Sequence, residues 1–379
     1  MNSTSASIQE CFADLSDPRM EGKVHHKLLD LIVLTLCAVL CGADTWVDVE
    51  AYGYAKREWF ETFLELPNGI PSHDTFGRVF ALIAPAELEA CFVKWVQAVA
   101  QVMEGEVVAI DGKTLRRSYD SASDQAAIHM VSAWATANSM VLGQLKTQAK
   151  SNEITAIPEL LKVLELKGCI VTIDAMGCQK EIAAQIVDAG ADYVLALKGN
   201  QGSLHEAVRE RLEEARREPQ QEENSRELHP DYHESSQKGH GRLETRRCWV
   251  LPAEEGLPGY QDWKSLTTLA LVESERCVGN KTTVECRYYI SSVDGGAEQL
   301  AAAVRQHWGI ENRLHWVLDI AFREDESRVR NGHAAENLAI LRRLSLNLLK
   351  QEKSAKIGTK AKRLRAGWDN DYLLKVLSV

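Results

Sequence analysis

Three carboxylates stand where metal-assisted phosphodiester chemistry needs them. Asp111 ends the apolar run Val107-Val108-Ala109-Ile110, and Asp174 ends Ile170-Val171-Thr172-Ile173. Glu311 lies in Arg305-Gln306-His307-Trp308-Gly309-Ile310-Glu311-Asn312, which reads as the middle of one amphipathic helix. Two aspartates on strand ends and a glutamate on a helix suit a pair of divalent ions about 4 Å apart, one activating an attacking oxygen and one stabilising a leaving oxygen. Mg2+ prefers few protein carboxylates, with water and phosphate completing its shell. Such a site acts on phosphodiesters, so it points to an enzyme of nucleic acid. An isolated Asp after an apolar run is ordinarily a turn or a cap. Three carboxylates in this order, each on a suitable element, favour the metal site.

The elements around them follow from periodicity. Residues 107–110, 127–135 and 140–147 read as strands, with Asn138-Ser139 as a hairpin turn. Residues 154–166 read as a helix, 169–173 as a strand, 179–189 as a helix and 193–197 as a fifth strand. The order βββαβαβ is that of a ribonuclease-H-like α/β core. Residues 199–237 are polar and Glu-rich, helical or disordered, and 246–251, 266–272 and 284–291 look like strands. A largely β insertion at about 200–293 follows, then one long helix over 297–322 and another over 334–350. Upstream, residues 8–103 look all-helical, with Pro85 starting a helix. The chain therefore divides into a helical N-terminal domain, 1–104, for DNA ends, and a catalytic domain, 105–379, with the insertion and a basic helical C-terminal tail.

Composition sets outer bounds. The 379 residues are long enough for two or three domains. The most apolar window, 31–43, is shorter than the roughly 18 residues of a membrane span. The N-terminus lacks a basic region before an apolar core, so a cytoplasmic protein without a secretory signal is expected. The nine cysteines are odd in number and form no Cys-x-x-Cys pair, which fits free thiols; Cys37 and Cys41 read as core filler. A net charge of −10 argues against indiscriminate polyanion binding. Yet between residues 341 and 366 the basic residues Arg342, Arg343, Lys350, Lys353, Lys356, Lys360, Lys362, Arg363 and Arg365 face a single acid, Glu352. That stretch is either a DNA-binding tail or a solvated face.

Other side chains are placed to help. Lys113, Arg116 and Arg117 follow the first Asp, and Lys198 and Asn200 follow the fifth strand; each could meet phosphates beside the scissile bond. His240, Arg242 and Arg246 sit at the start of the β insertion, where a turn with Gly239 and Gly241 lets backbone approach DNA. His229, His233 and His240 lack a cysteine pair, which disfavours zinc. Ser72, His73, Thr75 and Arg78 either touch phosphate or cap a helix. Trp308 shares a face with Glu311 and reads as core packing that positions the carboxylate, or as a platform for an unpaired base.

The motifs Ala109-Ile110-Asp111-Gly112-Lys113-Thr114-Leu115-Arg116-Arg117-Ser118, Thr172-Ile173-Asp174-Ala175-Met176-Gly177-Cys178-Gln179, Leu197-Lys198-Gly199-Asn200-Gln201, Gly239-His240-Gly241-Arg242-Leu243-Glu244-Thr245-Arg246 and His307-Trp308-Gly309-Ile310-Glu311-Asn312 resemble those of the DDE transposases of bacterial insertion sequences, in the H-repeat-associated, ISAs-type branch. Phe12-Ala13-Asp14-Leu15-Ser16-Asp17-Pro18-Arg19 resembles that family's associated domain. The resemblance covers nearly the whole chain. It implies an Asp111, Asp174, Glu311 triad holding Mg2+, with Mn2+ able to substitute, and cut-and-transfer chemistry at terminal inverted repeats and target DNA. Two element ends must be synapsed, so a homodimer on DNA is expected. Related transposases carry Tyr, Arg and Lys seven before, four before and seven after the glutamate; here those positions are Val304, His307 and Leu318. Phosphate contacts then fall to Arg305, His307 or Arg313. Rival readings are a metal-dependent nuclease of the same fold without strand transfer, and a catalytically silent DNA-binding protein.

Overall fold

The structure, a computed structural model, describes residues 7–22, 24–100, 103–119, 126–147, 153–217, 230–239 and 241–379. Helices α1 (Ile8–Phe12), α2 (Leu28–Leu40), α3 (Trp46–Ala55), α4 (Arg57–Phe60), α5 (His73–Leu82) and α6 (Pro85–Val99) lead into strands β1 (Val107–Thr114), β2 (His129–Ala135) and β3 (Met140–Thr147). Then come α7 (Glu153–Val163), β4 (Ile170–Ile173), α8 (Lys180–Asp188), β5 (Asp192–Leu197) and α9 (Gly202–Arg217). Strands β6 (Asp231–Gly239), β7 (Arg242–Pro252), β8 (Thr268–Val278) and β9 (Lys281–Ser291) form the insertion. Helices α10 (Ala297–His307), α11 (Trp316–Ala321), α12 (Ala334–Gln351), α13 (Thr359–Trp368) and α14 (Asn370–Leu377) complete the chain. Among the described residues no helix is long and apolar enough to cross a membrane.

The described residues form two compact units. One draws on residues within 1–101, 112–152 and 311–379, the other within 102–111 and 153–310. Two of the places where the chain passes from one unit to the other are the peptide bonds Asp111–Gly112 and Ile310–Glu311.

In the first unit α12 is the spine. It is buried on every side, nearly every residue from Ala334 to Leu349 packing inward, against α2, α5, α6 and β3. Its buried polar groups are matched to backbone. Asn347 accepts from the Val141 N–H (2.8 Å) and donates to the Val141 carbonyl (2.9 Å), behaving as an extra strand partner for β3. Asn337 donates to the carbonyls of Phe80 and Ile83. Helix α2 is likewise buried around its circumference, and its Asp30 accepts from the Leu66 N–H. Strands β2 and β3 run antiparallel beside the end of β1, in the order β3-β2-β1.

The basic stretch is divided between surface and core: Lys353, Lys356, Lys360 and Arg365 are exposed. Arg342, Arg343, Lys362 and Arg363 are buried. Arg343 Nη1 pairs with Glu324 (2.9 Å), Arg363 donates to the Val39 carbonyl (2.7 Å from Nη2), and Lys362 to the Leu349 carbonyl (2.8 Å). Local charge counting does not separate these from the exposed cations, because their burial depends on tertiary contacts such as that of Arg363 with Val39.

In the second unit the strand order is β1-β4-β5-β9-β8-β7-β6, with β1-β4-β5 parallel and the remainder antiparallel. The parallel strands are buried on both faces, which is why they read as unbroken apolar runs. Helix α10 packs Ala297, Leu300, Ala303 and Val304 onto Val107, Ile170, Val194 and Tyr289. Orders β3-β2-β1 and β1-β4-β5 are those of the ribonuclease-H-like core. Two expectations change. Part of the polar stretch, Asp231–Gly239, is a strand paired along its whole length with β7; exposed on both faces, it shows no alternation. The single helix over 297–322 is interrupted at Trp308 and passes through a wider π-helical turn at Glu311–His315. Gly309, a poor helix former, sits at the break.

Candidate metal centre

Parallel pairing brings the two aspartates together. Ile110 is in register with Ile173, so Asp111 and Asp174 are the next residues on adjacent strands, which lie about 4.8 Å apart. Both are half-buried at the carboxyl ends of parallel strands, where α/β sheets place ligands. Asp174 also caps the turn Ala175–Gly177: its Oδ1 accepts from the N–H groups of Met176 (3.0 Å) and Gly177 (3.4 Å). Both bonds fall on one oxygen, which fixes the carboxylate's rotamer. Gly177 is required by packing, since a Cβ there would stand 2.3 Å from Ile173 Cγ2. Asn200 braces the same loop by donating to the Ala175 carbonyl (2.8 Å), and Gln201 does so at Cys178 (2.9 Å). Burial, followed by the charge of Asp174, pushes the Cys178 thiol up to about 12, so it stays protonated. His307 Nδ1 meets Thr172 Oγ1 at 3.0 Å, tying α10 to β4 two residues before Asp174. Lys198 and Arg305 are exposed.

Glu311 opens the π-helical turn in the other unit. Its carboxylate is 54% exposed, and its Oε2 lies 3.6 Å from Nδ1 of His315, which is only 6% exposed. Val304 and Leu318, seven before and seven after Glu311, are buried. Trp308 is 36% exposed rather than core, with the Arg287 guanidinium stacked 4.2 Å over its ring. Arg313 is exposed and reaches the Thr136 carbonyl at 3.4 Å.

Lys113 has a different environment from the one its sequence position suggests. It is buried, with Nζ 2.8 Å from Asp319, 2.7 Å from Asp325 and 3.7 Å from Glu324. Burial favours the neutral amine, but Glu324, Asp319 and Asp325 outweigh it and hold the ammonium above its ordinary range. Glu324 is fully buried; burial alone would raise its carboxyl, yet Arg343 and Lys113 keep it below the usual range. Burial pushes Asp319 up, and Lys113 compensates only in part. Sequence reasoning passed over these three acids, although Glu324-Asp325-Glu326 is an acidic run soon after Glu311. Arg116 Nε pairs with Asp325 (3.2 Å) but stays largely exposed, as does Arg117. Arg242 pairs with Glu244 (3.0 Å), and His240 and His229 lie outside the described residues. Ser72 caps α5, His73 Nδ1 meets Glu50 of α3 at 2.6 Å, and Arg78 donates to the Asp74 carbonyl.

Two half-buried aspartates at adjacent strand ends, Asp174 held there by backbone N–H groups, offer the oxygen donors that a hard divalent cation takes. A family model described as "Transposase DDE domain" matches residues 103–348, and one described as "DDE_Tnp_1-associated" matches residues 9–96. A protein of Escherichia coli O157:H7 named "Putative transposase YncI" is 43% identical over 376 residues, covering 98% of this chain and 94% of its own length. "H repeat-associated putative transposase YhhI" of Escherichia coli strain K12 is 42% identical, covering 98% and 97%.

Proposed function

The chain belongs to the DDE transposase family, and from that premise we propose that it cuts DNA at terminal inverted repeats and joins the freed 3′ ends to target DNA. The observation that carries the reading is the register of Ile110 with Ile173, which sets Asp111 and Asp174 side by side. Asp111, Asp174 and Glu311 are the residues that hold Mg2+, or Mn2+ in its place. When bound, such ions supply activation of the attacking oxygen and charge compensation at the leaving oxygen. The protein's own part is positional. Asp174 presents Oδ2 while Oδ1 is tied to backbone, and Asn200 braces that loop through the Ala175 carbonyl. Arg116, Arg117, Lys198, Arg242, Arg305 and Arg313 supply cationic contacts to phosphates, with His307 and, on the turn before Arg242, His240 alongside. Lys113 serves by holding the acids behind β1. Two copies pair two element ends, working at the bacterial nucleoid.

The test is cleavage and joining of a labelled duplex carrying the gene's own flanking repeat, with Mg2+. Removing one carboxylate as Asp111→Asn, Asp174→Asn or Glu311→Gln forfeits several kcal/mol of charge stabilisation, so both steps should fall by about a thousandfold. DNA binding should persist. Full activity in any of the three variants would refute the triad. Cleavage without joining by the wild type would leave a nuclease, and binding without cleavage a silent DNA-binding protein.

A further inference from the structure

The π-helical turn that opens with Glu311 closes with His315, and the two side chains share one face. They differ sharply in exposure. An ordinary surface Glu–His pair leaves both groups in water and contributes little. Here the imidazole is 6% exposed and lies beneath a carboxylate that is 54% exposed. Their separation, 3.6 Å between His315 Nδ1 and Glu311 Oε2, is longer than a hydrogen bond. It is close to the spacing of two donors on one ion: bond lengths of about 2.1 Å place neighbouring ligands roughly 3 to 3.5 Å apart. The turn is wider than an α-helix, and such local widening recurs at functional sites. Leu314, wholly buried, anchors the turn on its inner side.

We propose that His315 is a fourth metal ligand, pairing its Nδ1 with Glu311 Oε2 to make a mixed imidazole–carboxylate donor set. This rests on the reading of Glu311 as a ligand and adds to it a metal preference. Nitrogen donors favour the later first-row ions over Mg2+. The position on this helix therefore holds Mn2+ or Co2+ more tightly than Mg2+, whereas the two aspartates offer oxygen alone.

The experiment uses the full chain, free and with the repeat duplex, and follows Mn2+ by electron paramagnetic resonance. Electron spin echo modulation detects a directly bonded imidazole nitrogen. Wild-type protein should show 14N modulation that becomes the 15N pattern when the protein is made with 15N-histidine. His315→Gln should lose that modulation and weaken Mn2+ binding by at least about tenfold. The labelled wild type decides histidine ligation even if His315→Gln fails to fold, and His315→Asn provides a second assignment. Mn2+ binding that depends on Glu311 but shows no histidine nitrogen would overturn this inference alone. Mn2+ binding unchanged by Glu311→Gln would overturn the underlying reading together with it. No Mn2+ bound by the wild type in either state would also overturn the inference.

Discussion

At Lys113 a position suited to phosphate is occupied by a buried ion-pair cluster. An ammonium with 8% of its side chain exposed, against Asp319, Glu324 and Asp325, cannot release a counterion on binding DNA. Lys113→Met should therefore leave the salt dependence of DNA binding unchanged. It should destabilise the fold by about 3–5 kcal/mol, because buried carboxylates lose their compensating charge. Urea denaturation and binding titrations at several salt concentrations check the two halves; a reduced salt slope with unchanged stability would return Lys113 to the phosphates. The aspartates were legible from sequence because each follows a strand buried on both faces. The partners of Lys113 were not, since pairing between residues 113 and 319–325 depends on tertiary folding that no local pattern encodes.

At the scale of elements, α6 and β3 meet through a buried acid. Glu89 Oε1 accepts from the Gln144 N–H at 2.8 Å, and its Oε2 lies 3.3 Å from Gln144 Nε2. Burial pushes the Glu89 carboxyl up to about 8. The folded-state value is thus raised above the unfolded one near 4.5, so the protonated acid contributes stability below about 4.5 that is lost as pH rises through about 8. Glu89→Gln should flatten the pH dependence of unfolding across that window and stabilise the protein above it by a few kcal/mol. Its amide can also donate to Gln144 Oε1, which has no partner among the described residues. Denaturant midpoints from pH 5 to pH 9 measure this, and parallel curves for the two proteins would contradict it. Elements with strong periodicity or unbroken apolar runs were readable in advance. The break at Trp308 was not, because the apolar spacing continues through it while Trp308 itself turns outward under Arg287. Nor was β6, a polar strand without alternation that is paired along its whole length with β7.

On the scale of the whole molecule, the C-terminal helices belong to the core. Arg363 bonds to α2, Lys362 to the end of α12, and Tyr372 donates to Glu352 at 2.8 Å. Burial would raise the Glu352 carboxyl, but bonds from Ser354, Tyr372 and backbone hold it down near 2. Charge-assisted bonds of this kind contribute about 1.5–3 kcal/mol each, and domains have only about 5–15 kcal/mol in hand. Truncation after Gln351 should therefore lower the melting temperature by more than about 10 °C or abolish soluble expression. An unchanged melt with lost DNA affinity would instead restore the basic stretch to the role of a tail.

The strand β6 closes one end of its sheet with Asp231-Tyr232-His233-Glu234-Ser235-Ser236-Gln237-Lys238-Gly239, polar on both faces. An outermost strand with apolar side chains is a template on which another chain can extend the ladder. Glu234 and Lys238 make such extension costly, so this composition protects solubility. Glu234→Val with Lys238→Val should leave the fold intact and turn clear solutions turbid within hours at concentrations where the wild type stays clear, as light scattering would record.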